Sequence, residues 1–324
     1  CTVLRGGKVT GVCQPQNESN ASLSRLMIGA EPAALEHRPA QAGDVVLQVR
    51  DLLLPRQDAF GVDLIDVSLQ VRSGEVVGIA GVSGNGQQEL LRALSGEDTR
   101  AQPAMVQVTG QDVARLGPQQ RRALGLHFVP EERLGRGAVP TMGLAHNLLL
   151  TRNDAVGAMG WLHLGQLKEQ ARAIIERFGV KAGGADAPAR SLSGGNLQKF
   201  IVGREIAAQP KLIIIAQPTW GVDVGAAAQI HAEILALRDA GCAVLIVSEE
   251  LDELFELSDR LYVLAKGHLS PSVARADATV QQVGEWMSGL WNADVQQHLA
   301  DMEQVLPSSE AAQANALVKG PQHV

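Results

Sequence analysis

Gly81-Val82-Ser83-Gly84-Asn85-Gly86-Gln87-Gln88 decides how this chain reads. It follows an apolar run, Val76–Ala80, and precedes a helical pattern that reaches Leu94, with Gly96 placed to end it. A buried strand, a glycine-rich turn and a helix start make a cradle where backbone N–H groups converge on an anion. The spacing is that of G-x-x-x-x-G-K-[ST], with Gln87 at the lysine position and Gln88 at the hydroxyl position. Glycines at strand–helix turns also serve close packing alone. The loop by itself therefore leaves both readings open.

Composition narrows the field. A chain of 324 residues with 45% hydrophobic content can bury one large core, or one core plus an appendage. Net charge is −7 and no run of lysine or arginine stands out, which argues against a nucleic-acid footprint. Cys1, Cys13 and Cys242 lie at no metal-like spacing, so they predict neither a disulfide framework nor a zinc site, and a reducing compartment. No apolar run approaches the roughly 18–20 residues of a membrane span. Any membrane role would pass through a partner.

A repeat is visible at an offset of 260. Val3-Leu4-Arg5-Gly6-Gly7-Lys8-Val9 aligns with Val263-Leu264-Ala265-Lys266-Gly267-His268-Leu269, and the register continues from Met27 to Met287 and from Gly29 to Gly289. V-L-x-x-G is a cheap pattern, but a register held over this length predicts a duplicated protein. On that reading residues 1–29 are the tail of a first copy, 30–44 an Ala/Pro/Glu-rich linker, and 45–290 a second copy. Residues 291–324 read as a disordered tail, with a short amphipathic helix over Asp294–Val305.

Within 45–290, strands are expected at Val45–Val49, Asp63–Val71, Val76–Ala80, Met105–Val108 and Leu126–Val129, with a helical or turn segment from Gln111 to Leu116. Residues 142–179 read as helical, with Leu164, Leu167, Ala171, Ile174, Ile175 and Phe178 on one face. Ser193-Gly194-Gly195-Asn196 opens another helix that Pro210 stops. Lys211–Ile215 suits a strand buried on both faces of a parallel sheet. A helix around Ala226–Arg238 and a strand at Ala243–Val247 complete an alternation that predicts a doubly wound α/β core.

Taken in order, three features resemble the ATP-binding cassette family from about Val45 to Gly289. They are the loop at Gly81–Gln88, the stretch Leu192-Ser193-Gly194-Gly195, and Gln217-Pro218-Thr219 followed by Gly221-Val222-Asp223. The resemblance implies a P-loop NTPase-like parallel sheet core, an antiparallel β subdomain and an α-helical signature subdomain. It implies ATP and magnesium as ligands. It also implies head-to-tail pairing, with each ATP held between one domain's phosphate loop and the other's signature stretch.

Position by position, the departures agree with one another. The family's phosphate-binding lysine is Gln87 and its magnesium-binding hydroxyl is Gln88. Its aspartate near magnesium is Ala216, its catalytic glutamate Gln217, its γ-phosphate histidine Glu249, and its glutamine after the short strand Glu131. A lost lysine forfeits an attraction of about a few kcal/mol to a close phosphate. Neither Ala216 nor Gln88 replaces an anionic or hydroxyl oxygen for magnesium well, and Gln217 cannot take a proton from water. Glu131 and Glu249 add negative charge near a triphosphate. The resemblance thus implies a degenerate site here that retains a backbone cradle (Gly81, Gly84, Asn85, Gly86, Gln87, Gln88). It implies contact in trans by Ser193, Gly194, Gly195 and Asn196, a dimer loop at Gly221 and Asp223, and no metal site in this half.

The stretches from Ala216 to Ala226 and from Ser248 to Glu253 look like those of nucleoside and simple-sugar importers, and Ala-Gln-Pro-Thr leans toward nucleosides. The family then implies a peripheral subunit on the cytoplasmic side of the inner membrane. It would be joined to a permease through residues 131–150 and served by a periplasmic or lipoprotein substrate-binding protein. Two rivals remain: a soluble tandem cassette acting on ribosomes or DNA, and a dead regulatory domain. Phe60 reads as a core or surface phenylalanine rather than an adenine platform, and His127 and His146 as structural.

Overall fold

The computed structural model describes residues 1–5, 8–14, 16, 18, 22, 41–152, 157, 158 and 161–291. The proposed tail beyond 291, most of the linker, and Gly6, Gly7, Met27 and Gly29 lie outside them.

Five parallel strands form the centre, in the spatial order Arg260–Ala265, Val76–Ala80, Ala243–Ser248, Leu212–Ala216 and Leu126–Val129. The short strands His268–Leu269 and Val273–Ala274 pair antiparallel with Arg260–Ala265, so the sheet is mixed at that edge. Three of the central strands read as continuous apolar runs because both faces are covered. In Leu212–Ala216 the alternation is explicit. Ile213 and Ile215 join one core cluster, while Leu212, Ile214 and Ala216 join the other.

The first cluster lies under the helices Gly194–Ala207 and Val224–Asp239 and takes in Ala171, Ile174 and Phe178 from the segment around Leu164–Arg177. The second lies between the parallel sheet and an antiparallel four-stranded sheet, ordered Leu64–Arg72, Val45–Leu54, Val106–Val108 and Gln111–Asp112. The helix Gln87–Ser95 adds Leu90, Leu91, Ala93 and Leu94 to that second core. No described helix is long and apolar enough to cross a membrane.

Two expectations need correction, while the expected strand start at Val45 holds. The segment expected as helical or turn from Gln111 to Leu116 opens instead as the strand Gln111–Asp112, folded back on Val106–Val108 in a tight hairpin, and turns at Ala114–Arg115. Residues 142–179 contain two helices, Leu144–Leu149 and Leu164–Arg177, with a small strand pair at Gly157–Ala158 and Trp161–Leu162 between them. Leu164 is exposed, because the first residue of its helix projects past the packed face.

Candidate functional site

The parallel register brings the sequence-selected positions to one end of the sheet. Ala80 pairs with Ser248, Val247 with Ala216, and Ile215 with Val129. The phosphate loop, Glu249, Gln217 and Glu131 therefore leave adjacent strands at the same carboxyl edge, where open α/β sheets place their ligands.

At the loop, Gly81 is buried against the neighbouring strand: an added Cβ would stand 2.6 Å from Leu264 O and 2.4 Å from Gln87 Nε2. Gly84 and Gly86 have φ of +82° and +107°, which favours glycine. Gly86 caps the helix Gln87–Ser95, Glu89 lies in its first turn beside the positive dipole end, and Gly96 closes it in the left-handed region. The backbone cradle is thus built. Its interior is nevertheless occupied by the chain's own side chains. Gln87 Nε2 donates to Val82 O at 2.8 Å while the Asn85 N–H donates to Gln87 Oε1 at 3.0 Å. Asn85 Nδ2 also donates to Val82 O, and Asn85 Oδ1 accepts the Lys266 N–H at 2.7 Å. One cradle donor is therefore spent internally. Gln88 is exposed.

Magnesium does not fit this end of the sheet. Ala216 is buried in the apolar core, Gln88 offers only an amide oxygen, and no group of three or more His, Cys, Asp or Glu able to hold a metal ion occurs among the described residues. Gln217 is buried at φ 49°, and its Oε1 accepts the Glu249 N–H at 3.3 Å. Glu249 and Glu131 are exposed.

Behind Gln217 stands a buried network that the sequence reading missed. Glu253 accepts from Thr219 Oγ1 at 2.6 Å and Ser248 Oγ at 2.8 Å, and meets His231 Nε2 at 3.1 Å. His231 Nδ1 meets Glu256 at 3.1 Å. Burial alone would push the imidazole down, but the hydrogen bonds to Glu253 and Glu256 outweigh it and hold His231 up at about 9. Both ring nitrogens then donate. A signal was available: Glu253 interrupts the apolar side formed by Leu254 and Leu257 on its helix.

The signature turn is built differently. Ser193 caps the helix Gly194–Ala207 with extended backbone and no side-chain cap bond. Asn196 Nδ2 donates to Ser193 Oγ at 2.8 Å, and Asn196 Oδ1 accepts the Lys181 N–H at 2.8 Å. Ser193 is thereby held while its own O–H remains available to donate. Gly194 and Gly195 N–H have no hydrogen-bond partner among the described residues. Arg133, unremarked in the sequence reading, lies against Gly194, donates to Gln198 Oε1 at 3.0 Å and to Trp220 O, and is pulled down by burial. Gly221 has φ +61°, and Asp223 caps the helix Val224–Asp239 through the Ala226 N–H at 3.0 Å. Both adjoin the signature turn, since Asp223 Oδ2 lies 3.9 Å from an added Cβ at Gly195. Among the described residues no hydrogen bond joins Ser193–Asn196 to the phosphate loop.

Phe60 is 99% exposed, on a segment held to the loop helix by the Val62 N–H to Glu89 Oε1 bond at 3.2 Å. It is a surface phenylalanine. His127 is structural, bonded to Glu205 at 2.8 Å.

Residues 64–220 match the ABC transporter family model. The chain is 38% identical over 292 residues to the guanosine import ATP-binding protein NupO of Bacillus subtilis, covering 89% of this chain and 57% of that protein. It is 36% identical to the nucleoside import ATP-binding protein NupA of Lactococcus lactis (89% and 57%) and 39% identical to the glucose import ATP-binding protein TsgD13 of Haloferax volcanii (89% and 53%). The chain thus spans little more than half the length of these relatives. A nucleotide-free ATP-binding cassette from an ABC transporter superposes with TM-score 0.59 at 23% identity, covering 78% of this chain and 97% of that one. The ADP conformation of the cassette MJ1267 gives 0.59 at 22% identity, with 78% and 99% covered. Sequence relatives and family model agree that residues 64–220 carry an ABC transporter domain, and the solved cassettes share its fold.

Proposed function

We propose that this chain is the second nucleotide-binding domain of a duplicated importer subunit, and that its signature turn works on ATP held by the first domain. The observation that carries the reading is the contrast between a phosphate loop filled by Gln87 and a signature turn with uncommitted donors. Ser193 O–H, two glycine N–H groups and a helix N-terminus suit a γ-phosphate. Its own loop, lacking lysine, magnesium ligands and a carboxylate base, supports weak nucleotide binding and no rapid hydrolysis. ATP turnover and its magnesium then belong to the first domain's loop.

Duplication draws support from the hairpin at the start of the chain. Leu4 pairs with Val9 and Arg5 with Lys8, as Leu264 pairs with Leu269 and Ala265 with His268, at the same offset of 260. The Cys1–Cys13 backbone bonds likewise match the Leu261–Val273 pair. The imported class, nucleosides or simple sugars, follows the relatives' names. A permease contact through residues 131–150, a peripheral place on the cytoplasmic face, service by a substrate-binding protein and no nucleic-acid partner complete the proposal.

Two measurements test it. The chain purified alone should show negligible magnesium-dependent ATPase activity, and robust turnover would overturn the account of its loop. The whole subunit should co-purify with a hydrophobic permease and should carry a lysine-containing phosphate loop about 260 residues before Gln87. A first domain without that lysine would end the duplicated-importer reading.

A further inference from the structure

A cavity of about 660 Å³ opens beside the edge strand Leu126–Val129. Gly125 and Lys211, which line it, precede their strands, so it lies toward the amino ends, away from the phosphate-loop edge. In a chain of net charge −7 its wall carries Arg122, His127, Arg152, Arg177, Arg204 and Lys211 and no aspartate or glutamate.

The nearby carboxylates do not cancel this charge. Glu205, fully buried, is shared by Arg122 at 2.5 Å and Arg204 at 2.9 Å, so two guanidiniums meet one carboxylate. Burial would raise the Glu205 carboxyl, yet Arg204, His127 and Arg122 hold it down at about 2, which keeps it ionised. Arg177 is paired with Glu233 at 2.7 Å. Lys211 has no acidic partner among the described residues, and its alkyl stem lies over Gly125, with Cγ 3.0 Å from where a Cβ would stand. The helices Pro118–Ala123 and Gly194–Ala207 end at the cavity, and each contributes about half a negative charge at its carboxyl end. Together these offset about one of the positive charges that remain. Leu148, Ala173 and Ile174 supply an apolar floor.

We infer that this cavity binds a small phosphorylated organic molecule, a phosphomonoester of nucleoside or sugar size. The volume falls within the roughly 300–1,000 Å³ usual for small-molecule pockets. Converging guanidinium and ammonium groups favour a dianionic phosphate over a neutral polyol, and the apolar floor suits the organic part. The ligand would bridge Arg122 and Lys211 of the sheet layer to Arg152 and Arg177 of the helical layer. Nucleosides and sugars become phosphomonoesters by phosphoryl transfer from a donor such as ATP, or for nucleosides by phosphorolysis with release of the base, so such a ligand would report cargo already taken up and used. The binding site itself does not depend on the importer reading.

Calorimetry on the chain tests this with ribose 5-phosphate, guanosine 5′-monophosphate, inorganic phosphate, ribose and guanosine as probes. At least one phosphomonoester should bind about tenfold or more tightly than its neutral parent, and more weakly as salt rises. Preference between the two phosphomonoesters would identify the source. Lys211→Glu, at an exposed position, should weaken binding about tenfold or more, and Arg152→Gln should weaken it as well. Hydrogen exchange should show protection at residues 122–127 and 145–152. Equal binding of phosphorylated and neutral probes, binding matched by inorganic phosphate alone, indifference to Lys211→Glu, or protection confined to residues 81–88 would each overturn the proposal.

Discussion

The phosphate loop and the signature turn share one plan, glycines between an extended segment and a helix start, yet they use their donors in opposite ways. At Gly81–Gln88 the side chains fold inward: Gln87 and Asn85 both reach Val82 O, and the Asn85 N–H is satisfied by Gln87. At Ser193–Asn196 the side chain of Asn196 braces Ser193 from behind and leaves the helix N-terminus open. A helix start exposes unpaired N–H groups whatever its sequence. Its neighbours decide whether those groups are offered to a ligand or consumed by the chain. Replacing lysine with glutamine does both parts of the change at once. It removes a cation and supplies an amide short enough to bond within the loop.

The most severe way to break this comparison is Ser193→Arg in the whole subunit. A large side chain at the open turn should lower ATP turnover about a hundredfold or more, as loss of a transition-state donor does. Steady-state ATPase assays of the assembled transporter read this directly, and unchanged turnover would remove the role in trans.

The network behind Gln217 should next show itself in stability against pH. His231 stands at about 9, above the ordinary 6.5, so the folded state binds its proton more tightly than the unfolded chain. The associated stability is fully present below about 6.5 and is lost as pH rises through about 9, on the order of a few kcal/mol. Urea midpoints should fall between pH 6.5 and 9.5, and His231→Gln should flatten that fall. A midpoint that rises across this window would contradict the two-donor arrangement.

Gln87→Ala should act in the opposite direction from most site mutations. Freeing the Asn85 N–H should raise affinity for nucleotide at this loop by up to about tenfold, measured by equilibrium dialysis in the isolated chain. Weaker binding would instead make the Gln87 amide a ligand. Least of all, Phe60→Ala should leave stability within about 0.5 kcal/mol, because a side chain 99% exposed packs on nothing. A thermal-melt shift of several degrees would mean that this surface is covered.

Much of the fold was legible. Apolar runs located four of the five parallel strands, all but Arg260–Ala265, to within a residue or two, because strands buried on both faces carry no polar interruption. The helix end at Gly96 was marked by its glycine. The small strand pair at Gly157–Ala158 and Trp161–Leu162 was not, since two-residue pairing leaves too short a period to detect. In the candidate site, the glycines of both turns were legible by spacing, while the substituted positions came only from the family resemblance. Arg133, His231 and Glu253 were not, since their roles depend on contacts across 65, 22 and 34 positions of sequence.

By itself the sequence determined the alternation of strand and helix and both glycine turns, with glutamine at positions 87 and 88 of the first. Those properties are local, fixed by residue type and short-range geometry. Only the tertiary structure decided that Glu253 gathers Thr219, Ser248 and His231 beneath Gln217, since Thr219 and His231 lie 34 and 22 positions away. Hydrogen-bond donors are assigned by who stands within 3 Å, and chain folding, not residue order, sets that distance.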